Sequence, residues 1–165
     1  MQRVYSLLVD NNSGVLSRIS GLFTRRGYNI DSITAGVTAD SRFTRITIVS
    51  SGDEIILSQI ENQIAKLEDV IVVKVLKPEE SVYRELILVK IRANAQQRSE
   101  IVSIADIFRA KIVDAERESL VIELTGTQSK LEAFLQLLDG YEILELARTG
   151  IAGLSRGIKD VTFIE

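Results

Sequence analysis

Val4-Tyr5-Ser6-Leu7-Leu8-Val9-Asp10-Asn11-Asn12-Ser13-Gly14-Val15-Leu16 is the stretch whose reading decides the architecture of this chain. Val4–Val9 is an apolar run of strand length. From Val15 the apolar residues fall at Val15, Leu16, Ile19, Leu22 and Phe23, the spacing of one helix face. A strand that turns sharply into a helix leaves the first N–H groups of that helix unpaired. Together with the positive end of the helix dipole they suit a carboxylate or another small anion. Gly14 has no Cβ to block a close approach. Asn11 and Asn12 place amides beside the opening, and Asn12 or Ser13 is expected to cap the helix. The turn reads as a receptor for a small acid.

Outward from this turn, strand and helix patterns alternate in an order that occurs twice. Gly27 is placed to end the first helix as a left-handed cap. Ile30–Val37 and Thr44–Ser50 read as strands around Ala39-Asp40-Ser41. A second helix points Ile56, Leu57, Ile60, Ile64 and Leu67 inward, and Val70–Leu76 closes the module as a β-branched strand. This is β-α-β-β-α-β, the ferredoxin-like arrangement. Lys77-Pro78-Glu79-Glu80-Ser81 holds the one proline and reads as a linker.

The same order then resumes. A strand at Leu86–Ile91 leads to a helix with Ile101, Val102, Ala105 and Phe108 on one face. Strands at Lys111–Glu116 and Leu120–Thr125 follow, then a helix bearing Leu131, Phe134, Leu135 and Leu138, then a strand at Ile143–Thr149. The expected fold class is α+β, with two ferredoxin-like βαββαβ modules over residues 1–77 and 78–165. The second strand-to-helix turn, Arg92-Ala93-Asn94-Ala95-Gln96, lacks a glycine and is the weaker candidate for a ligand.

Composition narrows the function classes. The chain has 165 residues, a net charge of -3, no cysteine and no histidine. Thiolate metal sites and disulfides are excluded, as is the side chain most used for proton transfer near neutral pH. Neither catalytic nor metal-ligating residues are assigned. Acidic balance and aliphatic central strands such as Arg45-Ile46-Thr47-Ile48 argue against a nucleic-acid binder, which stacks bases on aromatics. Met1-Gln2-Arg3 runs into strand-like sequence without a signal-peptide pattern, and no apolar run reaches membrane-spanning length. The expectation is a cytoplasmic protein that engages no membrane.

Asn11-Asn12-Ser13-Gly14-Val15-Leu16 resembles the strand–helix turn of ACT domains, often Asp/Asn-x-Pro-Gly-x-Leu, which sense amino acids. Ser13 stands where many members carry proline. Arg26-Gly27-Tyr28-Asn29-Ile30 is similar to the Gly-x-Asn-Ile element of the same domains. The longer run Gly21–Ser32, Gly52-Asp53-Glu54 and the tail Ala147–Gly157 resemble the regulatory small subunits of acetohydroxyacid synthase, also called acetolactate synthase. The likeness spans essentially the whole chain.

That resemblance implies a noncatalytic homodimer at least. It would bind the catalytic subunit, raise its activity and confer feedback inhibition by valine, or by leucine or isoleucine. The catalytic subunit would carry thiamine diphosphate, Mg²⁺ and FAD, and this chain no cofactor. The implied effector site comprises Asn11, Asn12, Ser13, Gly14, Val15, Leu16, Asn29 and Ile30. The carboxylate would rest on backbone N–H groups of Gly14, Val15 and Leu16. Asn11 would accept from the ammonium group, and Asn29 would come from the same or a neighbouring chain. Val15, Leu16 and Ile30 are candidates for the apolar pocket. Arg18 is expected to lie along the helix, outside the anion cradle, and residues 154–156 are expected to form a flexible terminus. The alternative is a stand-alone ACT-type regulator with another partner.

Overall fold

A computed structural model describes residues 1–158. The chain divides into two compact units. The first comprises Met1–Tyr83 together with residues 151–158, and the second Arg84–Gly150.

In the first unit β1 (Gln2–Asp10), α1 (Val15–Arg26), β2 (Ser32–Val37), β3 (Phe43–Ser51), α2 (Glu54–Ala65) and β4 (Val70–Leu76) follow the expected order. The antiparallel sheet runs β2-β3-β1-β4, with β1 between β3 and β4. Tyr5, Leu7 and Val9 of β1 pack with Val15, Ile19, Leu22 and Phe23 of α1 and with Leu57, Ile60 and Ile64 of α2. Alternation along β1 thus sets one face on the helices. The Tyr5 hydroxyl, fully buried, donates to the Leu57 carbonyl at 2.7 Å and ties α2 to the sheet. Gly27 ends α1 at φ 67°, its N–H reaching carbonyls of the last turn, as a left-handed cap requires. Asp53 caps α2 by accepting from the Ile56 N–H.

Part of the opposite face of this sheet, around Val4, Val49 and Leu76, is covered by the chain's own tail. After the linker, a short 3₁₀ turn over Pro78–Glu80, β5 begins at Ser81 and runs to Arg92. Its first residues belong to the first unit. The last strand, β9 (Ala152–Ser155), pairs with β5. Ile151 is buried against Val4, Val49 and Leu76, with Tyr83 packed beside them. Thr34 of β2 donates to the Ile151 carbonyl at 3.3 Å, and the Arg156 N–H to the Glu80 carbonyl at 2.7 Å. The tail, expected to form a flexible terminus at residues 154–156, is therefore a strap on the first unit through the Arg156 N–H. The division also falls six residues beyond the expected one, because β5 starts directly after the linker.

The second unit repeats the topology with the remainder of β5, α3 (Ala95–Ile107), β6 (Lys111–Ala115), β7 (Ser119–Gly126), α4 (Gln128–Leu137) and β8 (Ile143–Arg148), in sheet order β6-β7-β5-β8. Ile87, Val89 and Ile91 pack with Ile101, Ala105, Leu131 and Phe134.

The edges differ from one another. Ile71 of β4, Val113 of β6 and Leu144 of β8 are each skipped by a register shift, leaving one extra residue in the strand. Such bulges blunt an edge against pairing with another chain. β2 pairs with β3 from Ser32↔Val49 to Val37↔Thr44 without a shift.

Two measurements test this packing. A Cβ at Gly153 would lie 2.9 Å from Leu76 Cδ1 and from Tyr83 Cδ1, and the Tyr83 ring is pinned by its hydroxyl on the Leu76 carbonyl at 2.6 Å. Gly153→Ala is expected to lower unfolding free energy by about 1–3 kcal/mol in urea titrations, the range of an overpacked core. Burial pushes the Tyr5 phenol from 10.0 up to about 12. A raised folded-state value gives stability that is full below pH 10.0 and lost as pH rises through about 12. Alkaline unfolding curves of Tyr5→Phe should accordingly fall less steeply across that window than those of the wild type.

Candidate functional site

The turn between β1 and α1 is built around Gly14, the N-cap of α1, at φ 86° and ψ -4°. A positive φ of this size is strained for any residue with a Cβ, so the local backbone requires glycine. Glycine has no side-chain acceptor for the N–H groups of the first turn, and the cap carries no side-chain hydrogen bond. The expected capping by Asn12 or Ser13 does not occur, because the N-cap position falls one residue later. Leu16, expected in the core, is 50% exposed.

The equivalent turn of the second unit is closed internally. Asn94 accepts from the Gln97 N–H, and the Gln97 side chain accepts from the Asn94 N–H, a reciprocal capping box. Arg98, in the first turn beyond, donates to the Glu116 and Arg117 carbonyls at 2.8 and 2.6 Å. Side chains thus occupy the Asn94 and Gln97 N–H groups at the start of α3, whereas no side chain caps α1.

Beside the Gly14 turn lies a cavity of about 240 Å³ lined by residues 9–16 together with Thr44 and Ile46. It gathers six of the eight sequence-assigned residues: Asn11, Asn12, Ser13, Gly14, Val15 and Leu16. Thr44 and Ile46 were missed, since they lie on β3, some thirty residues downstream, and carry no local signal. Asn11 is the anchor of this corner. Its N–H donates to the Arg42 carbonyl at 2.8 Å and its Nδ2 to the Ser41 carbonyl at 2.9 Å. Its Oδ1 accepts from the Thr44 hydroxyl at 3.1 Å. In the adjoining hairpin the Arg42 guanidinium and N–H hold the Asp40 carboxyl down to about 2, so this acid stays ionised in an ion pair.

Arg18 stands outside the cavity, as expected, but it does not simply run along the helix. Its Nε binds Asp69 Oδ2 at 2.5 Å, and its Nη1 lies 3.0 Å from where a Gly14 Cβ would be. The Asp10 N–H also donates to the Asp69 carbonyl at 2.9 Å, so the α2–β4 loop braces the turn from the β4 side.

Asn29 and Ile30 are not part of the cavity lining. Asn29 Nδ2 donates to Asp31 at 2.7 Å, and its carbonyl accepts from the Ser50 hydroxyl at 2.6 Å. Ser50 is opposite Arg3, near the start of β1, whereas Gly14 follows its end. At about 3.3 Å per residue, Arg3 and Asp10 stand roughly 23 Å apart. Within one chain the two parts of the assigned site lie at opposite ends of the sheet.

Among the described residues, no cluster of three or more Asp or Glu side chains is arranged to hold a metal ion. No helix among them is long and apolar enough to cross a membrane.

A family model described as an AHAS small subunit-like ACT domain matches residues 5–72, and one described as the small subunit of acetolactate synthase matches residues 84–157. The chain is 47% identical over 155 residues to a probable acetolactate synthase small subunit from Methanothermobacter thermautotrophicus, covering 93% of this chain and 92% of that one. It is 46% identical over 160 residues to the acetolactate synthase isozyme 3 small subunit of Escherichia coli, covering 96% and 98%. The crystal structure of the acetolactate synthase small subunit from Thermotoga maritima superposes with a TM-score of 0.88 at 41% identity, covering 96% of this chain and 99% of that one. With both halves matched in order and the ferredoxin-like fold shared, the chain belongs to the family of acetolactate synthase small subunits, and its first module is an ACT domain.

Proposed function

We propose that this chain is the noncatalytic regulatory subunit of acetolactate synthase, raising the activity of the catalytic subunit and making it sensitive to valine or a related branched-chain amino acid. The reading is carried by one observation: an uncapped helix start, formed at a glycine with φ 86°, opens beside a cavity of about 240 Å³. The effector's carboxylate binds the N–H groups of Gly14, Val15 and Leu16, and Asn11 Oδ1 accepts from its ammonium. Val15, Leu16 and Ile46 face its side chain. One methylene in such a pocket is worth roughly 1–3 kcal/mol, so valine, leucine and isoleucine compete closely. Thiamine diphosphate, Mg²⁺ and FAD belong to the catalytic subunit in this reading; this chain takes no cofactor and works in the cytoplasm.

The register of β2 supports a homodimer. Its start, Ser32, is level with Val49 near the Asn29 end, and its end, Val37, is level with Thr44 at the cavity. Antiparallel pairing of two β2 edges across a two-fold axis sets the start of one beside the end of the other. Asn29 and Ile30 of one chain then approach the Gly14 turn of its partner. The effector completes its contacts across the boundary, which couples its binding to assembly.

Calorimetry on the purified protein should show binding of at least one of valine, leucine and isoleucine. Gly14→Asp introduces a Cβ 3.0 Å from Arg18 Nη1 and a carboxylate at the acid's landing place. It should weaken that binding by roughly 10–100-fold, the scale of charge-assisted hydrogen bonds, and unchanged affinity would refute the pose. Sedimentation tests the boundary: Val37→Lys on the exposed β2 edge should shift dimer toward monomer and weaken effector binding, with the Gly14 turn itself untouched. If activation of an acetolactate synthase catalytic subunit is absent while effector binding persists, the stand-alone regulator becomes the better reading.

A further inference from the structure

Thr44 has no feature in the sequence that draws attention to it, yet three parts of the site meet there. It lies opposite Val9 at the end of β1 and opposite Val37 at the end of β2, and it lines the cavity beside Gly14. Its hydroxyl donates to Asn11 Oδ1 at 3.1 Å. The orientation of that amide is fixed by chemistry. The Ser41 carbonyl can only accept, so the Asn11 group 2.9 Å from it is the NH₂, and the group facing Thr44 is the oxygen. A carbonyl oxygen has two lone pairs, and the Thr44 hydroxyl occupies one of them.

We propose that Thr44 is a positioning residue for recognition of the effector's ammonium group. It holds the Asn11 oxygen in place and leaves the second lone pair for the ligand. This inference rests on the effector reading above. Thr44 does not touch the ammonium itself; it acts through Asn11. Because Thr44 also pairs with the end of β2, the same residue ties ammonium recognition to the edge through which two chains would join.

Calorimetry on the full chain with valine and with isovalerate, which keeps the carboxylate and side chain but lacks the amine, isolates this role. Thr44→Val removes the hydroxyl with little change of shape and suits a strand. It should weaken valine by roughly threefold to tenfold, the range of one net hydrogen bond, and leave isovalerate, measured by competition, at its wild-type affinity. Thr44→Ser should restore valine binding. Valine affinity unchanged in Thr44→Val, equal loss for both ligands, or failure of Thr44→Ser to recover would each overturn the inference. Where Gly14→Asp still weakens valine binding by roughly 10–100-fold, those results leave the effector reading standing. A wild-type protein that binds none of the three branched-chain amino acids overturns both.

Discussion

Burial of β1 on both faces is the constraint on which the rest of the first unit depends. Tyr5, Leu7 and Val9 are covered by the two helices, while Val4, Ser6 and Leu8 are also buried on the other side. Side chains alternate along a strand, so a slip of one residue would exchange these sets. Val4 would leave Ile151 and Leu76, and Ser6, which accepts from the Arg45 guanidinium at 2.8 Å, would enter the helix-facing core. A strand held on both faces fixes the position of its end. That end is Asp10, and everything in the candidate site is built from the turn that follows it.

The two modules show how one topology yields one open helix start and one closed one. In α3 the N-cap is Asn94, with Gln97 three residues on, and the pair satisfies its own donors. In α1 the N-cap is Gly14, whose φ of 86° turns the chain with no side-chain hydrogen bond capping the first turn. The arginines four residues after each cap also differ. Arg98 serves the carbonyls of a hairpin, while Arg18 is drawn to Asp69 on the α2–β4 loop. A helix start that has no internal acceptor and stands beside a cavity is suited to an external one.

Much of this was legible in the sequence, for reasons that particular residues make clear. The order of elements in both modules follows from apolar periodicity, and Gly27 behaves as a left-handed cap because the helix pattern stops there. Six of the assigned residues are contiguous, so a local reading places them together, and they line one cavity. Thr44 and Ile46 were invisible because only strand pairing brings β3 alongside the turn. The strap was misread for a similar reason. Leu154, Ser155 and Arg156 read as a flexible end because they follow the last expected strand, and only the buried positions of Ile151 and Gly153 against Leu76 and Tyr83 reveal a packed segment. Leu16 fits the helix period, but its neighbour Val15 takes the core position of the first turn, and Leu16 is left half exposed on the cavity wall.

The separation of Asn29 from Gly14 carries the argument from fold to regulation. In one chain the ligand would meet the helix start and Asn11 but not Asn29, because the sheet holds them at opposite ends. Among the described strands, β4, β6 and β8 are bulged and β2 is regular, so the route by which a second Asn29 could arrive is also an edge without that protection against pairing. On the proposed reading, a ligand held by both chains favours the dimer by the same factor that the dimer favours the ligand. The coupling needs no long path through the core. Thr44 is bonded to Asn11 on one side and paired with the end of β2 on the other, so ligand and edge are linked through a single residue.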